Sequence, residues 1–151
     1  MKAAFLLAPA LACLATLATA EEIGRVGVDW VGNDIIVEAF PDPDVEGVTC
    51  HLAYFSRSVI DRLQQGNWFE DPSYSAVDCV QTGPITLGKI DRSRDGEEVF
   101  SEGRSLILKS LKVTRIYDEA NNALVYLGHA SELTQGSGKM SLSVIPLGTA
   151  D

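Results

Sequence analysis

The sequence predicts a mainly β fold, an antiparallel sandwich or open barrel with one short helix. Three observations carry that expectation. Beyond residue 20, apolar residues come in short runs bounded by Gly, Pro, Asn and Asp, the pattern of strands joined by tight turns. Only one stretch shows helical spacing. Two cysteines, Cys50 and Cys79, remain once an apolar leader is set aside, and an even pair in an exported chain reads as a staple for a small domain. The 151 residues divide into a leader over 1–20 and a single domain over 21–151, large enough to bury one core.

The leader opens on Lys2, runs apolar from Ala3 to Leu17 with only Pro9 and Thr16 interrupting, and closes on Ala18-Thr19-Ala20 before Glu21 and Glu22. A short basic start, an apolar stretch and a small-x-small site make a secretory signal peptide, too short and wrongly flanked for a stable membrane span. Cleavage after Ala20 is expected, with a periplasmic destination. A lipoprotein reading through Cys13 would leave the apolar Leu14–Leu17 as the start of the mature chain, a poor tether.

The elements follow in order. Ile23 to Trp30 sets Val26, Val28 and Trp30 on one parity, and Gly32-Asn33-Asp34 turns the chain. Ile35 to Phe40 is an apolar strand closed by Pro41-Asp42-Pro43-Asp44, and Val48 to Phe55 is the next. Ser58 with Asp61 three residues on resembles a capping box, Val59, Ile60 and Leu63 share a face, and Gly66 stops the helix. Seven residues cannot hold a helix alone, so it must dock on a sheet. Ala76 to Gln81 reads as a strand broken at Gly83-Pro84, with Ile85 to Ile90 beyond it. Asp91 to Glu98 is a charged loop. Ser105 to Asp118 changes face between Leu108 and Leu111, which predicts a β-bulge near Lys109-Ser110. Asp118 to Asn122 is the best hairpin turn, Ala123 to Ala130 returns as an apolar strand, Gln135–Gly138 is a loop, and Ser141 to Ile145 is the last strand.

Cys50 and Cys79 are expected to form a disulfide with Cα atoms about 4.4–6.8 Å apart, adding about 3.5 kcal/mol by the chain-entropy argument. The alternative is a redox pair or a metal site helped by His51. Redox pairs sit two residues apart and zinc needs three or four ligands, for which only His51 and His129 could supply nitrogen.

Several stretches resemble the CreA family. Ile35–Phe40 with Asp42–Val45 and Val48–Cys50 looks like its first signature and Cys79–Ile85 like its second. The third runs through Glu98–Phe100, Ser105–Ile107, Lys109, Leu111, Val113, Arg115, Tyr117-Asp118, Asn122, Leu124 and Tyr126-Leu127, with Gly136-Ser137, Lys139 and Pro146 beyond. The resemblance covers nearly all of the chain after the leader. It implies a small exported bacterial protein, encoded in some genomes beside a two-component system and labelled a catabolite-regulation protein. It brings no catalytic or binding residue with it. The segment Tyr54–Tyr74 departs from the glycine-rich pattern of some members.

Charge and motifs narrow the function classes. With 12 Lys+Arg against 21 Asp+Glu the formal net charge is −9, and losing Lys2 with the leader makes the rest more acidic still. That argues against nucleic acid or an anionic membrane as partner. No phosphate loop, dinucleotide glycine motif or H-E-x-x-H occurs, so no cofactor is expected and no catalytic constellation stands out among the many serines.

Four groups of residues are candidates for a site. Asp42, Asp44 and Glu46 space carboxylates as in the first half of a calcium loop, but Ala53 stands where the bidentate Glu belongs, so a solvated acidic turn is the better reading. Glu38 interrupts an apolar strand on the parity of Ile36 and Phe40. It either faces inward, paired with Lys109 or Arg115, or lies in water on an edge strand. His129 reads as a hydrogen-bonded core histidine. Trp68, Phe69 and Tyr74 lie in the aromatic-rich stretch between the cysteines, either as a partner-binding patch or as cover for the helix.

Two functional readings follow. The first is a non-catalytic accessory or binding module of the periplasm, engaging an envelope protein or a small ligand. The second is a small hydrolase or transferase with Glu38 as acid or base.

Overall fold

The computed structural model describes residues 19–30, 32–56, 75–103, 110–130 and 140–148. Among them the chain forms eight strands: β1 (Glu21–Gly27), β2 (Asp34–Pro41), β3 (Val45–Ser56), β4 (Ser75–Leu87), β5 (Glu97–Gly103), β6 (Ser110–Asp118), β7 (Ala123–Ala130) and β8 (Ser141–Pro146). The expected helix over Ser58–Gly66, most of the leader, the bulge proposed at Lys109-Ser110 and the aromatic trio Trp68, Phe69 and Tyr74 lie wholly or partly outside the described residues.

The strands make two antiparallel meanders of four, β1-β2-β3-β4 and β5-β6-β7-β8. Their facing sides share one apolar core, which makes the fold mainly β with two antiparallel sheets. Period-two alternation does the sorting. On the first sheet Ile36, Phe40, Cys50, Leu52, Tyr54, Val77 and Cys79 are buried. On the second, Leu111, Val113, Leu124, Tyr126 and Ile145 are. Phe40 stacks on Phe100 of the other sheet with ring centroids 4.4 Å apart, an offset aromatic pair added to the area it buries.

The break expected at Gly83-Pro84 is instead a bulge inside a continuous strand. Val48 pairs with Gln81 and Glu46 with Thr86, so four residues of β4 stand opposite Gly47 alone. Gly47 adopts φ +79°, and a β-carbon there would run into the Pro84 carbonyl oxygen and sit 2.8 Å from that of Gly83. Glycine is what lets the two backbones approach. The insertion also resets the parity of β3, so that Val45 and Val48 both turn inward.

Strand β5 was not legible as a strand, because EEVFSEG reads as an acidic loop. Its pairing to β6 carries a shift between Glu98 and Phe100, which turns Phe100 to the core. The hairpin expected at Asp118–Asn122 joins β6 to β7. Asp118 accepts from the backbone N–H of Asn121 (3.2 Å) and from its side-chain amide (2.7 Å), and Asn122 takes the left-handed conformation at φ 47°.

The sheets also meet edge to edge. The hydroxyls of Ser141 and Ser143 on β8 accept the backbone N–H of Val77 and Cys79 on β4, each at 2.9 Å. Ser143 donates its own proton to Asp78 (2.9 Å). Two N–H groups on β4 thus find side-chain acceptors.

At the opposite edge β1 reverses the usual arrangement. Ile23, Val26 and Val28 are exposed. Arg25 shares the inward parity of Ile36 through its register and binds Glu22 (2.8 Å) and Asp34 (3.0 Å). The parity read for Val26, Val28 and Trp30 is therefore not a core face. Strand β1 is the edge of its sheet, paired with β2, and stays largely exposed.

Candidate functional site

Arg115 and Asp42 are the two buried charged residues among those described. Strand β6 alternates Leu111, Val113 and Arg115 inward, so the guanidinium enters the core by parity alone. There its Nη1 donates to Asp42, which stands at the end of β2 with its side chain fully buried. Its Nη2 donates to Glu97 at 2.6 Å and reaches Asp44 at 3.5 Å, carboxylates each about a third exposed. Tyr126, directly opposite Arg115 on β7, donates its hydroxyl to the other oxygen of Asp42 at 2.7 Å. Asp42 also accepts the backbone N–H of Asp44 at 2.9 Å, an Asx turn that fixes its carboxylate.

The electrostatics follow from this arrangement. Burial pulls the Arg115 pKa down, but the hydrogen bond and charge of Asp42, with the charge of Glu97, outweigh it and hold the guanidinium charged. Burial, then the neighbouring Asp42, pushes the Tyr126 phenol well above its ordinary range. One cation meets three carboxylates, and the two at the rim have water to screen the excess. The centre ties the first sheet to the second, and its buried atoms are engaged with one another.

The structure redistributes the residues singled out from sequence. Arg115 is buried and paired, but its partner is Asp42 and not Glu38. Both carboxylates lie on the inward parity of β2, four residues apart, and the way the sheets face each other brings Arg115 to the far one. Glu38 instead accepts the Tyr54 hydroxyl at 2.6 Å, since Tyr54 lies diagonally across from it on β3. Lys109 lies outside the described residues.

Asp42 and Asp44 are not the solvated acidic turn expected, since the side chain of Asp42 is fully buried. They converge on the guanidinium, while Glu46 points into solvent between the inward Val45 and Val48. Among the described residues no group of three or more His, Cys, Asp or Glu is placed to hold a metal ion. His129 is not a core histidine: it sits on the outer face of β7, half-buried, with Nε2 3.0 Å from the Thr114 hydroxyl. Strand β7 turns Leu124, Tyr126 and Gly128 inward, so Val125, Leu127 and His129 share the face that looks away.

Cys50 and Cys79 are bonded. Their Cα atoms are 3.9 Å apart, closer than the expected range. They are direct partners in neighbouring strands, whereas that range describes bridges between segments in general. The parts that sequence reasoning missed are Asp42 as the anchor, Glu97 and Tyr126. Parity along β2 pointed to Asp42 as much as to Glu38, and Tyr126 shares its parity with Leu124.

Comparison with known proteins places the chain. A family model described as CreA protein matches residues 23–150. Proteins named Protein CreA from Escherichia coli strains K12, O6:H1 and O157:H7 are each 42% identical to this chain, with 94% of it and 93% of the relative covered. No solved structure matches. The Asp42 turn, both bridging cysteines and Arg115 lie within the matched span, and the chain belongs to the CreA family.

Proposed function

We propose that this CreA-family protein is exported by its leader to the periplasm and acts there as a non-catalytic accessory or binding module, linked to catabolite regulation or envelope signalling. The single observation that carries the reading is the Cys50–Cys79 bridge, buried between two core strands, because such bonds persist in oxidising compartments. Strand β1 begins at Glu21, so cleavage after Ala20 removes none of it. The mutual engagement of Arg115, Asp42 and Tyr126 supports a structural role for the buried ion pair.

Osmotic-shock fractionation with thiol alkylation and N-terminal sequencing tests the reading. Periplasmic protein starting at Glu21 with no free thiol is expected. Two free thiols, or a lipid-modified Cys13 as first residue, would overturn it. The second reading, a small hydrolase or transferase, draws on the half-buried Glu38 with its 2.6 Å bond from Tyr54. Loss of cellular function in Glu38→Gln at unchanged melting temperature would favour that reading over the first.

A further inference from the structure

Trp30 is 96% exposed at the tip of the β1–β2 hairpin. A fully solvated indole on a built turn calls for an explanation, because aromatic residues exposed in this way concentrate at interfaces. The turn is held firmly. Asp29 accepts both the backbone N–H of Asn33 (3.0 Å) and its side-chain amide (2.7 Å), and Val28 N–H donates to the Asn33 carbonyl at 3.0 Å. Gly32 supplies the positive φ, 88°, that the reversal needs.

Below the tip, Val28 and Val26 are about half exposed. Val26 pairs with Ile35 and Ile35 with Phe55, so Val26, Ile35 and the exposed Phe55 form an apolar row across the outer face of the first sheet. Arg25, on the other parity, binds Glu22 and Asp34, while Glu21 shares the outer face of Val26 through its pairing with Ala39. The hairpin therefore presents an exposed indole with an apolar flank.

We propose that this tip, Trp30 with Val28 and Val26, is the docking element of the protein, and that it inserts into an apolar pocket with a basic rim on another envelope protein. The proposal rests on the binding-module reading and names the surface it uses. The surrounding charge selects the occupant. The chain is net −9, and Asp29 adjoins Trp30 in the turn, so an approaching surface gains from cations around its pocket. A second copy would set two acidic tips against each other, and an anionic membrane would repel the same charges.

The experiment uses the full exported chain. A photo-crosslinking amino acid is placed at position 30 and, as control, at Ser101, which is exposed on β5 of the other sheet. One protein adduct specific to position 30 is expected. That partner, once identified and purified, should bind the wild type at least tenfold more tightly than Trp30→Ala, and more weakly as salt rises. Trp30→Ala should keep the wild-type melting temperature, because its side chain packs on nothing. An adduct of twice the chain's own mass, binding that is insensitive to Trp30→Ala, or a tip that labels only lipid would each overturn the proposal. A specific adduct from Ser101 with none from position 30 would overturn the tip while leaving the binding-module reading intact.

Discussion

A guanidinium in an apolar core is stable only while its partner stays in place. Removing the buried carboxylate strands the charge, at a cost of about 3–5 kcal/mol. Asp42→Ala should lose stability in that range by urea denaturation, while Asp44→Ala, at 3.5 Å and a third exposed, should lose less than about 1 kcal/mol. Tyr126 makes the same centre sensitive to alkali. Its folded pKa is raised above the ordinary value near 10, so its contribution is fully present below about pH 10 and is lost as pH climbs toward the raised value, because the unfolded chain ionises first. Wild type should then lose about 1.4 kcal/mol per pH unit above pH 10 relative to Tyr126→Phe, measured as the difference between their stability–pH curves.

At the scale of the elements, Gly47 decides whether β3 and β4 can pair on both sides of the bulge. Gly47→Ala combines a positive φ with a β-carbon driven into backbone carbonyls, and neither can relax without opening the ladder. A loss of about 2 kcal/mol or more is expected from thermal or urea unfolding. The bulge also shows where local reasoning stops. Gly83-Pro84 carries a strong turn signal, and only pairing with β3 reveals that the segments on either side are one strand. Strand β5 was hidden for a related reason: four of its seven residues are Glu or Gly, and its place comes from β6 beside it. The strands β2, β3 and β7 and the Asp118–Asn122 turn were legible, because alternation and turn chemistry are written within a few residues. Glu38 has the parity its sequence position indicates, but Arg115 goes to Asp42 instead, since contacts between sheets depend on a packing angle that no local pattern encodes.

For the molecule as a whole, the bridge fastens β3 to β4 inside one sheet, while the Arg115 centre and the Ser141–Ser143 seam join that sheet to the other. Replacing both cysteines by serine should lower stability by about 2–4 kcal/mol in urea denaturation under non-reducing conditions. The cysteine count made this bridge readable in advance; the two ties between sheets were not, because they join residues more than sixty positions apart. That separation has a kinetic consequence. Each meander pairs only strands consecutive in the chain, so either sheet can assemble from contacts of short range. The salt bridge between Asp42 and Arg115 spans 73 positions and can form only once the two finished sheets meet. Its energy is then absent from the rate-limiting barrier, so Asp42→Ala should leave the refolding rate near that of wild type and accelerate unfolding about a hundredfold or more. The buried arginine would act as a latch, setting how long the native protein lasts and not how quickly it is made.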